Sequence, residues 1–310
     1  MIIPLILLLM GLVILAKSSY LFIDSSKSIA RHFGVTEFII GLTLVSIGTS
    51  LPEFGASVYA SYTGSGGIAA GNIVGSNIAN IALILGVSLL FGSMKTSRVM
   101  LKRDGYIMLA ATVLFAGIAI GGISKWDGLV LIVCFALYMR ILYIRRRGED
   151  YVPDAESHPI TVDRRIRRET TKLVVGGAGV FLGTKLLVDS AVDIALMMGV
   201  SENVIGVTLV AFGTSVPELA VSISSIIKRS EDIVIGNIIG SNIFNILWVG
   251  GVASLVGPLS VDSVLLRFNV PLMILVAILL LVFMRTGWKL ERWEGAVFVS
   301  IYIGFIFFNL

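Results

Sequence analysis

Residues Gly41–Glu53 read GLTLVSIGTSLPE and residues Gly206–Glu218 read GVTLVAFGTSVPE, nine identities in thirteen positions at an offset of 165. The same offset sets GNIVGSNIANI, from Gly71, over GNIIGSNIFNI, from Gly236, with nine identities in eleven. Two unrelated apolar helices do not share that much. Fainter matches continue outward at the same offset: Leu21, Asp24 and Ser25 with Leu186, Asp189 and Ser190, then Gly34, Val35 and Glu37 with Gly199, Val200 and Glu202. The chain is therefore an internal duplication, and what these two segments are determines the fold.

Composition says where they sit. Of 310 residues, 56% are hydrophobic and 14% charged, against roughly 25% charged in a soluble domain. The mean hydropathy of +0.95 requires many long apolar runs rather than one anchor. These values exclude a disordered chain, a nucleic-acid binder and a secreted disulfide scaffold. Cys134 has no second cysteine to pair with, and His32 and His158 lie in charged stretches, so a zinc site lacks its usual ligands.

Taking apolar runs of about 20 residues as spans predicts an all-α integral membrane protein of ten transmembrane helices. They run over 2–23, 38–60, 68–92, 104–122, 127–144, 172–193, 203–227, 233–256, 265–284 and 292–309. Met1–Ala16 has no basic leader, so the first run reads as a retained helix rather than a signal peptide. Alternate loops hold 20 of the 24 Lys and Arg residues, which places that side in the cytoplasm and both termini outside it. The charge of +4 is thereby a matter of topology and asks for no nucleic-acid partner. Residues 145–171 read as a cytoplasmic linker between two five-helix repeats, 1–144 and 172–310. Five is odd, so the second repeat enters the membrane inverted, an architecture recurrent in secondary transporters, with substrate sites at the midplane.

Glu53 and Glu218 are the acidic residues this reading places deep within spans, with no Lys or Arg at the same depth. A carboxylate there costs at least a few kcal/mol unless partnered, and a bound cation is the natural partner. Pro52 and Pro217 precede them and are expected to break helices 2 and 7, unwinding Gly48-Thr49-Ser50 and Gly213-Thr214-Ser215 so that carbonyls line the site. Thr49, Glu53 and Ser57 recur every fourth residue, as do Asn72, Ser76 and Asn80, and the second repeat carries Thr214, Glu218 and Ser222 and then Asn237, Ser241 and Asn245. Ser76, Asn80, Ser241 and Asn245 are candidate ligands; Asn72, Asn77, Asn237 and Asn242 read as bonds to neighbouring helices. The donors are all oxygen, which selects hard cations. Calcium, which accepts six to eight oxygens at about 2.3–2.6 Å, fits better than magnesium, and the same oxygens can be divided among several Na⁺. Gly71/Gly75, Gly236/Gly240 and Gly179/Gly183 read as close helix packing. Thr36-Glu37 and Ser201-Glu202 read as helix caps without an ion.

At GTSLPE and GTSVPE, followed by GNIVGSNIAN and GNIIGSNIFN, the sequence resembles the sodium/calcium exchanger family of cation/calcium antiporters. The resemblance covers nearly the whole chain. It implies electrogenic antiport of about three Na⁺ for one Ca²⁺ by alternating access, with helices 1 and 6 moving against a rigid eight-helix core, no cofactor, and function as a monomer in the lipid bilayer of the cell membrane. Carried over by position, it implies Glu53 and Glu218 as central carboxylates, oxygens from Thr49, Ser50, Thr214 and Ser215, carbonyls from Ser46 and Ala211, and side chains of Ser76, Ser241, Asn80 and Asn245. Some relatives have Asp where Asn80 and Asn245 stand here, and the missing ionisable group argues against potassium co-transport. A Ca²⁺/H⁺ antiporter is the nearest alternative, since the same glutamates can exchange protons, and a cation channel is a further one. An enzyme lacks a deep His, Lys or Asp beside a nucleophile.

Overall fold

The computed structural model describes residues 2–144, 159–198 and 211–309. Long apolar stretches punctuated by Gly and Ser turns form helices throughout. Helix α1 (Ile2–Phe33) stops at Gly34, whose φ of 61° takes the left-handed turn favoured by glycine. Thr36 then caps α2 (Glu37–Thr49), its Oγ1 accepting the Ile39 amide at 3.3 Å, as its sequence position predicts; Ser201 and Glu202 lie outside the described residues. The chain continues through α3 (Leu51–Tyr62), α4 (Gly66–Phe91), α5 (Tyr106–Ala119), α6 (Lys125–Ile144), α7 (Pro159–Met197), α8 (Ala211–Thr214), α9 (Val216–Ile227), α10 (Glu231–Val256), α11 (Leu265–Arg285) and α12 (Arg292–Asn309). Among the described residues six helices are long and apolar enough to cross a membrane, and the bent pair α2–α3 makes a seventh when counted as one span. Helix α7 begins at Pro159, so 159–171 of the stretch read as linker is helical, and 145–158 fall outside the described residues.

Helices α2 and α3 meet at 46°. The interruption lies at Ser50 (φ −86°, ψ 11°), the last residue of the Gly48-Thr49-Ser50 stretch expected to unwind, while Gly48 and Thr49 stay helical. Pro52 sits in the first turn of α3, where its missing N–H would have no helical partner anyway. Upstream, Ser46 Oγ and Thr49 Oγ1 donate to the Leu42 and Val45 carbonyls at 2.8 and 3.1 Å, back-bonds that favour a bend in the helix. The second repeat has the same design: Ser215 (φ −91°, ψ 0°) separates α8 from α9, and Pro217 occupies the first turn of α9. Wider π-helical turns, which the periodicity did not foresee, occupy Ala79–Leu85 and Phe244–Val249, and again Met100–Gly105 and Leu265–Asn269. Each pair recurs at the offset of the repeat.

Helices α4 and α10 form the centre. In their most apolar windows 78% and 94% of residues are buried, against 28% in α1 and 33% in α7. Helix α10 lies directly on α2: a Cβ added at Gly240 would sit 2.7 Å from Ser46 Oγ and against the Leu42 carbonyl oxygen. We therefore expect Gly240→Ala to cost about 1–3 kcal/mol, read as a Tm several degrees lower; an unchanged Tm would mean that α10 and α2 can part at no cost. No described residue lies within 4 Å of a Cβ placed on Gly71 or Gly75, so close packing is not seen there; the repeat partners of the segment facing Gly236 and Gly240 fall at 203–211, largely outside the described residues. Gly179 and Gly183 form the expected close seam, against Ser18 and Leu15 of α1.

The fold is not wholly helical. Met94–Lys95 (β1) and Lys289–Leu290 (β2) form a two-residue antiparallel ladder, Met94 opposite Leu290 and Lys95 opposite Lys289. A single bridge, Ile123 to Leu259, stands near the repeat-related position.

Candidate cation site

The breaks at Ser50 and Ser215 create two helix N-termini inside the protein, and Glu53 and Glu218 stand in the first turns of α3 and α9. The peptide dipole and free amides there favour a carboxylate, which explains why the break and the acid occur together in the sequence. Both are buried, at 2% and 0% exposure.

The pairing is crossed. Ser50 Oγ, from the first repeat, donates to Glu218 Oε1, from the second, at 2.9 Å, and Thr49 stands close to that carboxylate. Thr214 and Ser215 stand close to Glu53 in the same way, and the two carboxylates are near enough to interact electrostatically. Each glutamate is thus held by hydroxyls of the opposite repeat. Thr49 Oγ1 also lies 3.2 Å from Asn237 Oδ1, which Ser241 Oγ approaches at 3.5 Å. Asn237 therefore bridges the repeats, and Asn72 Nδ2 reaches Ser57 Oγ at 2.9 Å and the Glu53 carbonyl at 3.2 Å, both as bonds between helices. Asn77 and Asn242 depart from that expectation: each donates at 2.7 Å to its own helix, to the Ile73 and Ile238 carbonyls, while its Oδ1 is buried without a partner.

Among the described residues, Glu53 Oε2, Glu218 Oε2, Ser222 Oγ, Asn237 Nδ2, the Oδ1 atoms of Asn77 and Asn242 and both amide atoms of Asn80 and of Asn245 are buried without a hydrogen-bond partner, as are the hydroxyls of Ser19, Ser88 and Thr184 outside the repeated motifs. Buried polar atoms are nearly always partnered, and a set placed symmetrically in two repeats fits an oxygen cage for a hard cation. Ser46, Ser76 and Ser241 are buried. The Ser46 carbonyl accepts the Ser50 amide at 3.0 Å and the Thr49 hydroxyl at 3.4 Å. Ala211 opens α8, four residues before the Ser215 break. No hydrogen bond joins Ser76, Asn80 or Asn245 to either glutamate. Among the described residues no three His, Cys, Asp or Glu side chains come together.

Two further buried acids escaped the sequence reading because they lie near helix ends. Asp104 is fully buried, with Arg103 Nη2 at 2.9 Å and Tyr138 Oη at 3.4 Å. Glu294 accepts the Glu291 amide at 2.7 Å as a helix cap. Both have partners within the protein, and neither lies near the crossed pair in the chain.

Comparison with known proteins agrees with this geometry. The family model described as "Sodium/calcium exchanger protein" matches residues 3–144 and 170–310. Sodium/calcium exchanger MaX1 of Methanosarcina acetivorans is 38% identical over 97% of each chain. Structures of the sodium-calcium exchanger NCX_Mj superpose with a TM-score of 0.86 at 37% identity over 97% of each chain, among them crystals soaked with zero Na⁺ and Ca²⁺ and others with Na⁺ and Sr²⁺. Sodium/potassium/calcium exchanger 4 of Mus musculus is 35% identical over 39% of this chain. With its duplicated acidic motifs, its crossed glutamates and a family match over both repeats, this chain is a multi-pass membrane transporter of the sodium/calcium exchanger family.

Proposed function

We propose that the chain exchanges Na⁺ for Ca²⁺ across the cell membrane by alternating access, about three Na⁺ for each Ca²⁺, with both ions bound around Glu53 and Glu218. The observation that carries this reading is the crossed pairing, Ser50 on Glu218 with Thr214 and Ser215 on Glu53. It couples the two repeats through the carboxylates that would hold the cation, so occupancy and the relation between repeats are linked. Two carboxylates neutralise one Ca²⁺, and Thr49, Thr214, Ser46, Ala211, Ser76, Ser241, Asn80 and Asn245 supply uncharged oxygens that replace its water. The ions are cargo, and no cofactor takes part. The relatives named as sodium/calcium exchangers support this choice of ions.

The finer architecture belongs to the same proposal: ten spans in two inverted halves, 1–144 and 172–310, both termini outside, the segment 145–171 in the cytoplasm, and a monomer as the working unit. Helices α1 and α7 are the moving pair. They are sparsely buried, as α6 is, but they also meet along the glycine seam at Gly179 and Gly183, whose small side chains leave few interlocking groups to oppose sliding. The test is radioactive Ca²⁺ uptake into proteoliposomes with one imposed gradient at a time. An outward Na⁺ gradient should drive uptake, while H⁺ and K⁺ gradients should not. Uptake driven by protons alone would replace this reading with Ca²⁺/H⁺ antiport, and unitary currents in single-channel recording would replace it with a channel.

A further inference from the structure

The geometry points to a binding site for the phosphate headgroup of an anionic phospholipid on the face that carries the β1–β2 ladder, with Lys95, Lys289 and Arg98 as its cationic groups. It rests on the reading of the chain as a membrane protein and is independent of which ions are exchanged. The register sets Lys95 directly opposite Lys289. Residues so placed in an antiparallel pair project to one face with Cβ atoms about 4.5–5.5 Å apart, and like charges there oppose the pairing. Glu291 approaches Lys289 at 3.7 Å, with both side chains about half exposed, but among the described residues no carboxylate forms an ion pair with Lys95 or Arg98. An anion held between the two lysines would turn a repulsive pair into a chelating one.

The surroundings suit a lipid. Arg98 lies over the Trp288 ring, 5.7 Å from its centroid. Trp288 is held at φ 54°, next to Gly287 at 66°, a conformation rare for a bulky residue. It stays there because its carbonyl accepts the Thr96 amide at 2.9 Å while Thr96 Oγ1 donates to the Met284 carbonyl at 2.7 Å. The tryptophan is thus fixed beneath the guanidinium, and an indole so held is a residue that favours the membrane interface. Phe91, Val99 and Trp293, a few residues away along the chain, are 60%, 58% and 54% exposed and offer an apolar rim to acyl chains.

At the repeat offset, Lys95 corresponds to Ser260 and Lys289 to Ser124. The Ile123–Leu259 bridge beside them has a register shifted by two residues, so the two serines are not set opposite each other as the two lysines are. Topology requires basic residues in these loops; it does not require two of them to face each other across a ladder.

The test uses the full chain in neutral detergent, following Tm with added phosphatidylglycerol, phosphatidylcholine or inorganic phosphate at matched ionic strength. Phosphatidylglycerol should raise Tm by about 2–4 °C, and phosphatidylcholine and inorganic phosphate should not. The double variant Lys95→Ser, Lys289→Ser, which removes the like charges facing each other across the ladder, should lose that rise and, without lipid, melt no lower than the parent. Lys125→Gln, on the opposite side, should keep the full rise. No rise in the parent, or an undiminished rise in the double variant, overturns the site; an equal rise with inorganic phosphate overturns the lipid as its occupant.

Discussion

Glu53→Gln and Glu218→Gln are each expected to reduce Na⁺-driven Ca²⁺ uptake by at least about 100-fold, because a contact to a charged group is worth about 3 kcal/mol and every 1.36 kcal/mol is tenfold. The amide keeps the volume and one oxygen and removes the charge that balances a divalent ion. Folding should survive. Both side chains are buried, each retains an oxygen for the hydroxyls of the opposite repeat, and the two carboxylates interact through their charges; replacing one by an amide removes an ion–ion repulsion and a desolvation cost. Tm of the ion-free variants should therefore equal or exceed that of the parent. Near-parental flux in either variant would remove the central-site assignment, and a lower Tm would show that the carboxylates stabilise the fold as well as the cargo.

The second large effect is on voltage. A site holding Ca²⁺ between Glu53 and Glu218 is neutral, whereas the same site holding three Na⁺ carries one positive charge. Asn80 and Asn245 cannot ionise to cancel it. Each cycle then moves one net charge with Na⁺, and the potential contributes about 2.3 kcal/mol per 100 mV, about 50-fold in the equilibrium Ca²⁺ ratio. In vesicles loaded with Na⁺, positive charge leaves as Ca²⁺ enters. An interior-positive potential, set by a K⁺ gradient with valinomycin, should accelerate uptake and an interior-negative one should slow it. Uptake indifferent to potential would mean two monovalent ions per Ca²⁺ and would leave the ligand residues standing.

The duplicated GTSLPE and GTSVPE motifs, by themselves, determined a good deal. A proline preceding a carboxylate within an apolar run forces both an interrupted helix and a partner for the charge, and both consequences follow from local chemistry. The duplication at a constant offset carried the two-repeat architecture, and composition carried the membrane. The interruptions at Ser50 and Ser215, each the last residue of the stretch expected to unwind, belong to that same local chemistry. Two things were decided by tertiary structure. The crossed pairing of Ser50 with Glu218 links residues 168 positions apart, and no periodicity within one helix reports on a contact between two. Asn237 gained its role in the same way, since its spacing marked only a polar stripe while its bond to Thr49 depends on the close approach of α10 to α2 that Gly236 and Gly240 permit. Spacing along a chain specifies which side chains share a face; which face meets which is set by packing, where the backbones come near enough for a hydroxyl of one repeat to reach the carboxylate of the other.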